Sequence, residues 1–243
     1  MTRTTVFGLT LSEADGSFRL GTDALLLSAF IRENKKAWAL EMGAGSGAVS
    51  LLLAKRGCFK KIHAIEIQSE LYQTMVKNVD DNALDGIITP IRADIRELDP
   101  EEFKGVSVIY ANPPYMKADS GKSSPSEMRH AARHEVYGGV YDFCRTASKI
   151  LKTGGRLYLV YRPDRLETLM RSLYENGFSP KRMTFVHSDA AHSPSSVLIE
   201  AVLDGKEALT LTCPFFFNEN GQQSPDAEHV YANGRFPEKY QTV

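Results

Sequence analysis

Ala37-Trp38-Ala39-Leu40-Glu41-Met42-Gly43-Ala44-Gly45-Ser46-Gly47 is the stretch on which the fold turns. Its first six residues form a short, mostly apolar run bounded by a turn signal, which reads as a buried strand. Glycines at alternate positions then let the chain turn sharply and bring its backbone close to a ligand, with no Cβ in the way. Residues 48–55, Ala-Val-Ser-Leu-Leu-Leu-Ala-Lys, follow as a helix whose first N–H groups face whatever the turn holds.

The same alternation recurs along the chain. Residues 61–67, 87–92, 106–111 and 156–161 read as strands, and 69–82, 140–151 and 163–176 as helices. Ser69 is the expected N-cap of the helix over 69–82, Lys152-Thr153-Gly154-Gly155 closes the helix over 140–151, and Gly177 ends the helix over 163–176. Residues 181–186 and 197–203 supply the last two strands. Thr22 and Asp23 cap an apolar-striped helix over 22–30 that should lie on the sheet. The pattern predicts an α/β fold: a doubly wound, mostly parallel, seven-stranded sheet with helices on both faces. One domain spans 1–243, with an N-terminal segment and helix over 1–35, a core over 36–204 and a C-terminal extension over 205–243. Ligands of such sheets bind beyond the carboxyl ends of the strands, at the switch point. That rule lines up the glycine turn, Glu66, Asp94 and Asn112 along one rim.

The 243 residues are 42% hydrophobic and 24% charged, with a formal net charge of -1. This excludes a globally basic nucleic-acid binder and leaves room for a local basic surface. No apolar run reaches the ~18 residues of a membrane helix. The opening Met1-Thr-Arg-Thr-Thr-Val-Phe-Gly lacks the apolar core of a signal peptide. Cys58, Cys144 and Cys213 are too scattered to form a framework, so a reduced, cytoplasmic chain with buried thiols is expected.

Glu66 closes the second strand roughly twenty residues after the glycine turn, where a carboxylate can accept both hydroxyl hydrogens of a ribose. Gly43, Gly45 and Ala48 also satisfy the looser dinucleotide fingerprint, so these residues alone leave a nicotinamide oxidoreductase open. Asp94 can accept from an exocyclic amine such as that of adenine. In Asn112-Pro113-Pro114-Tyr115 the two prolines cannot sit inside a sheet ladder, so Asn112 is held where a strand gives way to a stiff turn. The lone pair of a planar amine is delocalised. Two acceptors for its hydrogens, the Asn112 side-chain oxygen and the Pro113 carbonyl, help that nitrogen pyramidalise, and Tyr115 can stack on the base that carries it.

Glu-x-Gly-x-Gly-x-Gly, Glu66, Asp94 and Asn112-Pro-Pro-Tyr115 together resemble a class I methyltransferase that uses S-adenosylmethionine, in the branch acting on planar nitrogens. Phe18-Arg-Leu-Gly-Thr-Asp-Ala-Leu-Leu-Leu, Asn112-Pro-Pro-Tyr-Met-Lys and Ala132-Arg-His-Glu resemble the bacterial adenine-N6 methyltransferases that act beside the anticodon of a valine tRNA. The resemblance runs from about Phe7 to about Tyr231. It implies a Rossmann-like methyltransferase sheet, S-adenosylmethionine as cofactor and tRNA as partner, with no metal, no membrane and no obligate protein partner. It further implies that Glu41, Gly43, Gly45 and Gly47 serve the methionine side of the cofactor, Glu66 with Ile67 the ribose, and Asp94 with Ile95 the adenine. Thr22 and Asp23 would lie near the cofactor. Asn112, Pro113 and Tyr115 would hold the target amine, with Asn112 also beside the cofactor. Glu41 stands where related enzymes often carry Asp.

An RNA substrate needs cations. Residues 116–137 carry Lys117, Lys122, Arg129, His130, Arg133 and His134, and Arg162, Lys181 and Arg182 follow as extensions of a phosphate-binding patch. His130 and His134 have helical spacing but lack a third ligand, so no metal is expected. Cys213-Pro-Phe-Phe-Phe217 is expected in the core or at a strand edge. The rival reading is an N5-glutamine methyltransferase acting on a release factor, whose substrate amide is also planar; that family usually carries an extra N-terminal helical domain.

Overall fold

The computed structural model describes residues 3–12, 21–114 and 139–241. An antiparallel hairpin, β1 (Arg3–Val6) and β2 (Leu9–Ser12), comes first. Then strand and helix alternate: α1 (Thr22–Phe30), β3 (Asn34–Met42), α2 (Ala48–Lys55), β4 (Phe59–Glu66), α3 (Ser69–Asp81), β5 (Ile88–Arg92), β6 (Val106–Ala111), α4 (Val140–Ile150), β7 (Arg156–Tyr161), α5 (Leu166–Glu175), β8 (Phe178–His187) and β9 (Ser196–Leu203). Two short strands, β10 (Thr210–Leu211) and β11 (Phe215–Phe216), a hairpin of β12 (Asn218–Glu219) and β13 (Gln222–Gln223), and α6 (Pro225–Asn233) make up the extension.

Among the described residues the main sheet has nine strands rather than seven, in the order β10-β8-β9-β7-β6-β3-β4-β5, with β11 also on β8. All seven expected strands are present. The two additions are two-residue strands on the outer edge of β8, too short to leave a periodic trace in sequence. The neighbours from β5 through β7 are parallel, and β9 runs against both of its neighbours. From β3 the chain winds outward through β4 and β5, then crosses back to β6 on the other side of β3. The switch point therefore lies between β3 and β6, where loops diverge and leave a crevice.

One face of the sheet is covered by α1, α2, α3, β2 and the C-terminal extension around a single apolar cluster. The other is covered by α4 and α5. Helix ends depart from expectation in ways that matter to the site. Ser69 is the first helical residue and Gln68 the cap, with no side-chain bond. Gly21, not Thr22, caps α1, and Asp23 instead accepts from Ser196 Oγ at 2.7 Å, tying α1 to the start of β9. After α4 the chain leaves in extended form at Leu151, so Gly154 and Gly155 do not cap it. They form the tight turn into β7, where a Cβ on Gly155 would stand 2.9 Å from the Lys152 carbonyl oxygen. The segment expected as one helix from Pro163 opens as a short 3-10 turn, Pro163–Arg165, before α5. Cys58 and Cys144 are buried as expected, whereas Cys213 is exposed.

Arg182 overturns another expectation. It is not part of a basic surface but lies fully buried in β8. Its Nε donates to Glu200 (3.0 Å), and its other nitrogens to the carbonyls of Tyr240 (2.8 Å) and Phe30 (2.6 Å). The guanidinium also covers the Phe30 ring at 3.7 Å. Burial pulls it down to about 10, and Glu200 opposes that shift. Lys181 sits near the amino end of β8, at the opposite end of the sheet from Asn112. The buried guanidinium joins the end of α1, two strands and the chain's last turns, while Phe215 and Phe236 each pack edge to face with Tyr240 and lie tilted against one another at the same junction. Phe215 is thus core, as expected.

Removing one partner of a buried ion pair leaves the other uncompensated. Arg182→Met should therefore lower unfolding free energy by roughly 3–5 kcal/mol in urea titration. Arg182→Met with Glu200→Gln should recover a large part of that loss.

Candidate active site

The sheet register assembles the rim. Met42 pairs with Ala111 on one side and with Ile65 on the other, so Gly43, Asn112 and Glu66 leave their strands at one level. Adjacent strands stand about 4.8 Å apart, so the glycine turn has Glu66 as one neighbour and Asn112 as the other. Glu66 pairs with Arg92 on β5, which sets Asp94 just beyond.

The turn needs its glycines for separate reasons. Gly43, Gly45 and Gly47 have φ of 69°, 58° and 84°, a region that side chains disfavour. A Cβ on Gly47 would lie 2.9 Å from Met75 Cγ, and one on Gly43 would touch the Phe143 ring at 3.5 Å. A Cβ on Gly45 would meet no described atom within 4 Å, so that position is open.

Glu66 is buried at the end of β4. One oxygen accepts from Gly45 N–H and the other from Gln68 N–H, both at 2.8 Å. Burial raises its pKa, and the amides of Gln68, Gly45 and Ile67 counter the rise. Each carboxylate oxygen has a second lone pair, so the group can also accept two hydroxyls of a bound sugar. Ile67 follows it, half-buried on the rim.

Glu41 does not face the rim. It is buried beneath the turn, accepts from Ser50 N–H at 3.1 Å and shares a short hydrogen bond with Ser50 Oγ. Ser50 Oγ lies 2.8 Å from the Tyr110 hydroxyl. A chain Tyr110–Ser50–Glu41 therefore couples β6, α2 and β3 below the ligand side. Burial pushes the Glu41 carboxyl up to about 8, against the hydrogen bonds from Ser50.

Asp94 is on the rim as expected, but both its oxygens are engaged by the Arg96 guanidinium, at 2.5–3.0 Å, and Oδ1 also accepts from Arg96 N–H. The Arg96 hydrogen bond holds its carboxyl below the usual range. An incoming amine must share those oxygens with Arg96. Ile95 is buried beside it, its carbonyl accepting from Thr146 at 3.0 Å. Asn112 is half-buried and Pro113 buried at the end of β6. Tyr115, Lys117, Lys122, Arg129, His130, Arg133 and His134 lie outside the described residues. Arg162 follows β7, partly exposed, with its guanidinium on Asp164 at 2.9 and 3.0 Å. Among the described residues no group of three His, Cys, Asp or Glu is placed to hold a metal, and no helix is long and apolar enough to cross a membrane.

Two residues went unnoticed in the sequence. Asn78 and Asn82, one turn apart on α3, hydrogen-bond the backbone of β2 at Ser12 and Thr10 as a neighbouring strand would. Asn78 also donates to the Ser46 carbonyl at 3.0 Å, fixing the glycine turn from behind. Their four-residue spacing on a buried helical face was the available signal.

Residues 22–117 match the model of the TRM5/TYW2 methyltransferase domain. The chain is 29% identical over 184 residues to a tRNA1(Val) (adenine(37)-N6)-methyltransferase of Parabacteroides distasonis, covering 76% of each. It is 28% identical over 200 residues to the enzyme of the same name from Bacteroides fragilis, covering 81% of this chain and 83% of the relative. A predicted O-methyltransferase from Agrobacterium tumefaciens has the same fold: TM-score 0.71, 22% identity, 88% of this chain and 97% of that one covered. So does M. jannaschii TYW2, solved with S-adenosylmethionine, at TM-score 0.55, 19% identity and 82% and 84% coverage. By these likenesses the chain is an S-adenosylmethionine-dependent methyltransferase that resembles the class I enzymes. The methyltransferase uses S-adenosylmethionine, and its rim suits that molecule: an open Gly45 beside a buried carboxylate with spare lone pairs fits a nucleoside that enters over a glycine turn.

A carboxyl held at about 8 when folded and near 4.5 when unfolded releases its proton first in the unfolded chain. Its stabilising contribution is complete below about pH 4.5 and lost as pH rises toward 8. Glu41→Gln keeps an acceptor for Ser50 N–H and has no proton to release. In urea titrations between pH 5 and 8 this variant should lose much less stability than the parent, by roughly 2–4 kcal/mol. A residual slope from Glu66, shifted the same way, should remain.

Proposed function

We propose that this methyltransferase transfers the methyl of S-adenosylmethionine to the exocyclic N6 of an adenine in tRNA, next to the anticodon. The observation that carries the reading is the register that sets Asn112-Pro113-Pro114 directly beside the glycine turn. The names of its relatives, which specify adenine 37 of a valine tRNA, support the substrate.

S-adenosylmethionine, when bound, supplies a methyl group on a positively charged sulfur. The glycine turn lines its methionine side, Glu66 with Ile67 holds the ribose, and Ile95 with Asp94 borders the adenine. Glu41 acts from beneath by holding α2 against the turn. Thr22 and Asp23 close the site from α1, through the bond to Ser196. Asn112 Oδ1 and the Pro113 carbonyl accept the two hydrogens of the target amine, draw its lone pair out of conjugation and aim it across the crevice. The step relieves a positive charge, so alignment contributes more than a strong base would. The target base must leave its stack to enter, and Tyr115 then stacks on it. Lys117, Lys122, Arg129, Arg133, His134 and Arg162 hold the phosphates. With tRNA as substrate, the reaction belongs in the cytoplasm.

Labelled cofactor incubated with total tRNA, and separately with release factor, decides the substrate: label in tRNA as N6-methyladenosine supports the reading, and label in release factor alone refutes it. Asn112→Ala should lower single-turnover methylation by at least ~100-fold, the scale for removing one transition-state hydrogen-bonding group, with cofactor affinity within about threefold of the parent. Gly45→Ala, which meets no described atom within 4 Å, should weaken cofactor binding by about tenfold or more in calorimetry. Its stability should fall by only about 1–2 kcal/mol, for backbone strain.

A further inference from the structure

The C-terminal extension builds a second pocket on the catalytic rim. Thr22, Phe217, Asn218, Gln223 and Tyr231 line a cavity of about 420 Å³. That size lies within the range of small-ligand sites. Its place follows from the strand ends. Phe217 N–H donates to the carbonyl of His187, the last residue of β8, and Asn218 N–H to Ser188. Asp23 accepts from Ser196, which opens β9 opposite Val186. Strand β8 runs parallel to β6 and β7, so its carboxyl end shares the rim with Asn112. Three strand spacings separate them, about 14 Å at 4.8 Å each. That is about four nucleotides stacked at 3.4 Å, and fewer if splayed.

The lining is chemically specific and held in place. Asn218 and Gln223 are cross-strand partners in β12–β13. Cross-strand partners project on one face, with Cβ atoms about 5 Å apart. Their hairpin is closed by Asn220-Gly221, with φ of 52° and 76°, the pair that a tight type I′ turn favours. Phe217 is braced edge-on by buried Phe215, with ring centroids 5.2 Å apart. Tyr231 extends from α6, whose first turn is capped by Ser224 and whose end is held by Arg56 on the Gly234 carbonyl. Tyr231 itself is 47% exposed. Two aromatic rings and two primary amides, with no carboxylate among the described lining residues, suit a flat heteroaromatic ring. The rings supply a stacking surface, and each amide offers a donor and an acceptor to a base edge.

We infer that this pocket holds a second, unpaired base of the RNA substrate, a few nucleotides from the target adenine. This rests on the proposed tRNA reading and extends it from the reacting base to its neighbour. Stacking lets any base enter, and the paired amides bias the choice.

The test measures kcat and KM for tRNA in Tyr231→Ala, Tyr231→Phe and the double variant Asn218→Ala/Gln223→Ala, with cofactor affinity measured alongside. Tyr231→Ala should raise KM for tRNA about tenfold, the scale of one lost stacked base, while kcat at saturating tRNA and cofactor affinity stay within twofold. Tyr231→Phe should restore the parent KM, because stacking needs the ring and not the hydroxyl. The amide double variant should narrow the difference in KM among tRNAs carrying each of the four bases at the flanking unpaired positions. An unchanged KM in Tyr231→Ala, with parent enzyme that methylates tRNA, overturns the inference and leaves the tRNA reading standing. A fall in cofactor affinity instead assigns the pocket to the cofactor and also overturns it. Parent enzyme that methylates no RNA overturns both.

Discussion

Everything at the rim depends on one carboxylate bridging two backbone amides. Glu66 accepts from Gly45 in the glycine turn and from Gln68 at the head of α3. A turn with three consecutive alternate residues at positive φ has little stiffness of its own. The bridge ties it to the end of β4, and Asn78 ties it from the other side through the Ser46 carbonyl. Burying a carboxylate costs free energy, which is why its pKa is raised. The hydrogen bonds offset part of that cost and fix the orientation of the carboxylate at the end of β4.

Glu41, on the strand paired with the one that ends in Glu66, does something different. Its carboxyl is enclosed under the turn and stays protonated well above the ordinary carboxylate range. It can therefore sit near Glu66 without two negative charges facing each other. Through Ser50 it reaches the Tyr110 hydroxyl on β6, the strand that ends in Asn112. The floor of the crevice is thus one hydrogen-bonded unit spanning both strands that border the switch point. A shift of β6 against β3 would break that unit, so the distance between the glycine turn and Asn112 is fixed from below as well as by sheet register.

The core strands were readable because each is a short, mostly apolar run bounded by polar or turn-forming residues; residues 106–111 and 156–161 coincide with β6 and β7. The rim followed from connectivity, since a parallel sheet puts every carboxyl end on one side. Helix caps were misjudged at Thr22 and Ser69 because a polar side chain at a helix start has several possible partners, and tertiary contacts chose between them. Asp23 found Ser196, 173 residues away. Arg182 was misplaced for a similar reason: in sequence it is one more cation after a strand, and only the fold brings Glu200 and two carbonyls around it. Glu41 was placed at the ligand by its neighbours in the motif, but alternation along β3 and the packing of α2 turn it inward.

Those long-range contacts also explain why the C-terminal extension belongs to the rim. Strands β10 and β11 add to β8 along its free edge, so the chain that follows leaves at the carboxyl end, level with Ser196 and the start of α1. Arg182 then locks the last turns back onto Phe30 at the other end of the same helix. Helix α1 is thereby held at both ends, by Ser196 through Asp23 and by the extension through Phe30. Its first residue, Thr22, lines the Phe217–Tyr231 pocket. In the proposed reading, a fixed helix between the two sites keeps their separation constant. That constancy is what a substrate strand lying across both would require, because one base can be aligned for reaction only if the next is anchored at a set distance.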